Sequence, residues 1–132
     1  MREESIPLAR YGTLRTDDVD EAREWIGRRL RSHELRLVDG SRTVHAAHTV
    51  AALGTIEFHY IDYGANVEVR VDPMSFVLVQ IPVVGRSLIR GGGQEIVATP
   101  TTAAVTTCTS SYVMRFAAPN PRLLVKIDRT AI

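Results

Sequence analysis

A chain of 132 residues has room for one domain with a proper core and not for two comfortable ones. Its 16 basic and 15 acidic residues leave a net charge of +1, which argues against a nucleic-acid-binding stripe or a polybasic membrane patch. Cys108 stands alone, excluding an intrachain disulfide and a cysteine-rich zinc site, and no apolar run approaches the roughly 20 residues of a membrane span.

Residues 1–15, with Pro7 and Gly12, read as an irregular arm. The arm opens polar and acidic and lacks an apolar signal core, so a cytoplasmic location is expected. Residues 16–32 are predicted to form an amphipathic helix. Asp18 with Glu21 fits a capping box, and Val19, Ala22, Ile26 and Leu30 recur at helical spacing. Acidic residues crowd its first turn and Arg28, Arg29 and Arg31 its last, as the helix dipole favours. Those arginines, with Arg23, form either a docking surface or simply a solvated face. Trp25 reads as a core anchor.

After Asp39-Gly40 the hydrophobic period changes to two, and strands are expected at 43–53, 55–61, 67–71, 76–84, 86–90, 94–98, 103–108, 111–117 and 122–128. Turn signals recur about every 8–12 residues, the signature of a sandwich or barrel. The fold class expected from this pattern is mainly β: one compact antiparallel β-barrel or sandwich over residues 43–128, preceded by one amphipathic α-helix. Gly91-Gly92-Gly93 precedes a strand rather than a helix, so it reads as a hairpin turn and not a phosphate loop.

Candidate chemistry is sparse. His45 and His48 lie three apart, which on a strand places them on opposite faces. His45 and His59, with Glu57, are the conceivable ligands of a metal-dependent enzyme, but three converging ligands are needed and no metal or other cofactor is expected. Cys108 lacks an obvious histidine partner and reads as inert, and the Ser/Thr-rich run 99–111 contains no nucleophile elbow. Gln80 is different: it interrupts an otherwise apolar strand, Phe76 to Val84. A buried amide must find partners, so Gln80 is either tied to a neighbouring strand or water, or lines an interior pocket. By parity the candidate ligand-binding residues are Phe58, Tyr60, Phe76, Leu78, Gln80, Met114 and Phe116, though parity leaves open which sheet face is the inner one.

The order of segments carries a resemblance. Thr16-Asp17-Asp18-Val19 opening the helix, the His33–Leu37 step, the strand bearing His45, the hairpin Tyr60–Arg70, Phe76–Arg86, Glu95–Pro100 and Leu123–Asp128 together resemble the amino-terminal, cupin-like domain of AraC-family transcriptional regulators. The resemblance covers about Tyr11 to Asp128. It implies a cupin-like antiparallel β-barrel and a non-enzymatic domain that senses a small organic effector or supports a homodimer, with DNA contacted only through a carboxy-terminal helix-turn-helix module beyond residue 132. The chain departs from the family at Thr101-Thr102, where a glycine turn is common, and it lacks the histidine–glutamate pattern of metal-holding cupins. A small metal-dependent cupin enzyme and a stand-alone binding domain are the alternative readings.

Overall fold

A computed structural model describes residues 13–31, 33–73, 75–107 and 110–128. A strand, β1 (Thr13–Thr16), precedes helix α1 (Val19–Arg29). Ten more strands follow: β2 (His33–Leu37), β3 (Ala46–Leu53), β4 (Ile56–Asp62), β5 (Val67–Val71), β6 (Phe76–Pro82), β7 (Ser87–Gly91), β8 (Gln94–Ala98), β9 (Ala104–Thr106), β10 (Tyr112–Phe116) and β11 (Arg122–Asp128). The helix is shorter than the 16–32 expected, and part of the arm is strand. The rest of that arm, residues 1–12, and Cys108 lie outside the described residues.

The expected barrel is not what forms. The strands make two separate antiparallel sheets, one in the order β1-β3-β4-β11-β6-β9 and the other β2-β5-β10-β7-β8. Both orders are linear: β1 does not pair with β9, nor β2 with β8, so neither sheet closes on itself. Alternation and turn spacing are the same in a sandwich and a barrel. Closure depends on which distant edges pair, and no short-range pattern encodes that.

Helix α1 starts where Asp18 can cap it. The Asp18 carboxylate accepts from the backbone N–H groups of Asp20 (2.8 Å) and Glu21 (3.2 Å). The reciprocal half of a capping box is replaced, because the Asp18 N–H donates to the Thr16 hydroxyl. The helix buries Ala22 and Ile26, and the Arg29 guanidinium lies 3.7 Å over the Trp25 ring. Fully burying a side chain such as Ile26 contributes about 1.5–3 kcal/mol.

The core lies between the sheets. Register places Leu124 opposite both His59 and Gln80, and Lys126 opposite Glu57 and Leu78. These residues therefore share the inner face of the six-stranded sheet, with Phe76 and Arg122. On the five-stranded sheet Leu35, Val69, Met114, Ile89 and Ile96 form one cross-strand row, and Leu35, Val69, Met114 and Ile89 are buried in the core. Phe58 and Tyr60 fall on the other parity of β4 and point away from the interior. Tyr60 is nevertheless buried, against Ala47 and Leu123 on the outer face.

A corner ties the sheets together. The Asn120 side chain accepts from the Tyr63 N–H (2.9 Å) and donates to the carbonyls of Ala65 (2.8 Å) and Phe116 (3.3 Å). Gly64 must be glycine here: its φ is +63°, and a Cβ would lie 2.6 Å from the His45 carbonyl oxygen.

Candidate functional site

Between the sheets, beside the carboxy-terminal end of α1, is a cavity of about 50 Å³. Its walls are mostly apolar: Ile26, Ile61, Val69, Phe76, Leu78 and Leu124 contribute. Its polar groups are Gln80 and Arg122 from the six-stranded sheet, Tyr63 from the turn after β4, Arg31 from the link between α1 and β2, and His33 from the start of β2. Leu30, Arg31 and Phe76 also line a surface groove of about 410 Å³. His33 and Val71 line a second groove of about 450 Å³. The end of α1 is thus the partition between the interior and solvent.

Four of the seven residues chosen by parity reach this cavity: Phe76, Leu78, Gln80 and Met114. Phe116 faces inward but stacks on Tyr63, with ring centroids 6.4 Å apart, instead of lining the space. Phe58 and Tyr60 are on the opposite side of their sheet and do not contribute. Gln80 is 1% exposed, and its amide nitrogen donates to the Met114 sulfur at 3.2 Å. That is a weak acceptor for a buried amide.

Arg122 went unnoticed in the sequence because it stands in an ordinary alternating strand. It is 3% exposed. Its Nη1 donates to the Asn120 carbonyl at 3.2 Å, and its guanidinium carbon lies 3.7 Å from the Phe116 ring centre and 5.0 Å from that of Tyr63. Its Nε has no partner. The described ion pairs join other residues. Burial lowers the Arg122 pKa, while the Tyr63 hydroxyl and Asp62 raise it. An arginine does not shed its proton at neutral pH, so a cation is held here without a contacting carboxylate among the described residues, at a cost of several kcal/mol.

His33 contributes a second open valence. Its Nδ1 lies 2.9 Å from the Arg31 carbonyl, an acceptor, so Nδ1 carries the proton. The bare Nε2 is buried and unpartnered. Burial lowers the His33 pKa; the Arg31 carbonyl works against this, and the Arg122 charge adds to it.

His45 and His59, the conceivable ligands of a metal site, do not come together. His45 pairs with Asp17 at 2.9 Å. His48 meets His59 instead, Nε2 to Nδ1 at 2.9 Å, and His59 Nε2 lies 3.0 Å from the Glu57 carboxylate. The carboxylate can only accept, which assigns every proton in the chain: His59 Nε2–H donates to Glu57, and His48 Nε2–H donates to His59 Nδ1. His48 Nδ1 is left bare and unpartnered. Burial first, then the His59, Arg29 and Arg122 charges, lower the His48 pKa to about 3. Burial also lowers that of His59, against the pull of Glu57. Among the described residues no group of three or more His, Cys, Asp or Glu is arranged to hold a metal ion.

Comparison with known proteins places this architecture. The model of a family described as the AraC-binding-like domain matches residues 22–132. A probable thc operon regulatory protein of Rhodococcus erythropolis is 32% identical over 124 residues, taking in 91% of this chain and 37% of that protein. The chain therefore spans little more than a third of this curated relative. The crystal structure of the AraC-like transcriptional activator CuxR superposes with a TM-score of 0.71 at 16% identity, over 90% of this chain and 48% of that one. A predicted oxalate decarboxylase from Thermotoga maritima reaches a TM-score of 0.57 at 11% identity, over 92% of this chain and 96% of that one. At such identities the two structural likenesses speak to fold alone.

Proposed function

Because this chain belongs to the AraC-binding-like domain family, we propose that it is the effector-sensing and dimerisation domain of an AraC-type transcription regulator and catalyses no reaction. The observation that carries the sensing role is the interior cavity, whose apolar walls hold buried polar groups with unfilled hydrogen-bonding capacity. Such convergence of a few polar groups in an apolar pocket is how small-molecule sites fix orientation. Signal reception needs no chemistry, only an occupant that favours one conformation over another.

At about 50 Å³ the space is below the 300–1,000 Å³ of drug-sized sites, so the effector is a small organic molecule or one whose entry widens the gap between the sheets. In this reading the domain spans residues 1–132, and DNA is contacted by a helix-turn-helix module beyond residue 132 of a longer, cytoplasmic regulator. No described helix is long and apolar enough to cross a membrane.

A thermal-shift screen of small organic compounds tests the sensing role. An occupant at a hundred times its Kd stabilises by about 2.7 kcal/mol. Replacing Gln80 with Leu should weaken or retune any hit while leaving the fold intact. Stabilisation by no compound, or hits indifferent to every cavity-lining substitution, refutes this reading.

A further inference from the structure

The geometry points to a small carboxylate with a short apolar tail as the ligand of this cavity, its carboxylate anchored on Arg122 and its tail against the Phe76–Leu78 wall. This rests on the reading of the domain as an effector sensor and names the chemical class of the effector.

Arg122 is almost wholly buried, and its Nε–H aims at no acceptor. It lines the same cavity as His33, whose bare Nε2 also lacks a partner. One group needs an acceptor and the other a proton. A carboxylic acid supplies both: one oxygen accepts from Arg122, and its proton passes to or is shared with His33. An alcohol offers a single oxygen for both tasks, and an amide brings no negative charge to offset the buried guanidinium.

The apolar walls discriminate among anions. Phosphate or sulfate would present three or four charged oxygens to Ile61, Leu78 and Leu124, whereas a monocarboxylate confines its charge to one end. The approach favours anions as well. Arg31 stands at the partition between the cavity and its outer groove, and Arg28 and Arg29 crowd the last turn of α1. This resolves the basic helix end as the rim of an entrance, where clustered positive charge raises the local concentration of an anion.

The test compares propionate, butyrate and isobutyrate with propionamide, butyramide and isobutyramide and with inorganic phosphate, all against the unaltered protein at pH 7. The acids should raise Tm, by about 10 °C at a hundred times their Kd for a chain of this length, and the amides should do so weakly or not at all. Binding should also move the His33 imidazole titration upward in NMR spectra. In Arg122→Met the Kd for the acids should weaken at least tenfold. If that variant fails to fold, the acid–amide comparison and the His33 titration decide alone.

Equal stabilisation by acids and amides overturns the proposal, as does a response to phosphate as large as that to butyrate. If acids and amides are silent while an uncharged compound binds in a way that depends on Gln80, the carboxylate assignment falls and the sensor reading stands. If nothing binds and the cavity holds only water, both fall.

Discussion

Lowering the pH from 7 to 5 should destabilise the domain through His48, and the size of the loss follows from its burial. In the unfolded chain His48 titrates near 6.5; in the folded protein its pKa is lowered to about 3. A folded pKa below the unfolded one means that the unfolded state binds the proton first. The neutral imidazole's contribution is therefore complete above pH 6.5 and is lost as the pH falls towards 3. Integrating from pH 7 to pH 5 gives about 1.4 pKa units of linkage, or about 2 kcal/mol. For 132 residues that is about 7 °C in Tm. His59, whose pKa is also lowered by burial, pushes in the same direction. The assay is urea unfolding at both pH values for the unaltered protein and for His48→Gln, whose amide can still donate to His59 but does not titrate. The variant should lose roughly 2 kcal/mol less than the parent between the two pH values. Equal losses in parent and variant would show that the buried histidine pair does not control acid stability.

Asn120→Ala removes three hydrogen bonds at the corner of the sheets and should cost about 3 kcal/mol in chemical denaturation; a loss under about 1 kcal/mol would mean that water replaces them. Ile26→Ala, at 1% exposure, should cost about 2–5 kcal/mol and enlarge the cavity it lines, which a crystal structure of the variant would reveal. Asp18→Ala should cost about 1 kcal/mol by loss of the helix cap, read from the urea midpoint. Gly64→Ala should be far more harmful than Gly40→Ala, since a Cβ at residue 40 meets nothing within 4 Å; similar midpoints for the two would contradict the packing at His45.

Most strands and the helix were legible because their signals are local. Val67, Val69 and Val71 alternate with charged residues, and Asp18 stands where a cap belongs. What failed was of longer range. Sheet closure depends on partners far apart in the chain. Parity left the inner face of β4 open, and the candidates it offered there, Phe58 and Tyr60, lie on the outer face although they look more interior than Glu57 and His59. The latter are tolerated inside the core or at its margin because they satisfy one another through hydrogen bonds, and Tyr60 finds burial on the outer face. Gln80 stood out against apolar neighbours. Arg122, in Pro-Arg-Leu-Leu-Val, looks like any solvent-facing arginine, and only the cross-strand register to Ile61 and Pro82 turns it inward.

The linear strand orders have a consequence for how the interior exchanges with its surroundings. A closed cylinder would protect its backbone amides evenly around the ring, whereas these sheets have rims. Hydrogen–deuterium exchange should therefore be graded, slowest in β4, β11 and β6 and in β5, β10 and β7, and fastest in the edge strands. Strand β9 is the shortest of these edges, three residues paired only with β6, where Ala104 lies opposite Gln80 and Thr106 opposite Leu78. Peeling it away breaks one short ladder and the Thr106 hydroxyl bond to the Leu78 carbonyl, and leaves the cavity wall at Gln80 without its neighbour. Besides the rim at Arg31, the fraying of this one short strand opens a route beside the polar wall, with the ladders among the remaining strands left paired. Amides in β9 should accordingly respond to an occupant of the cavity before any others do.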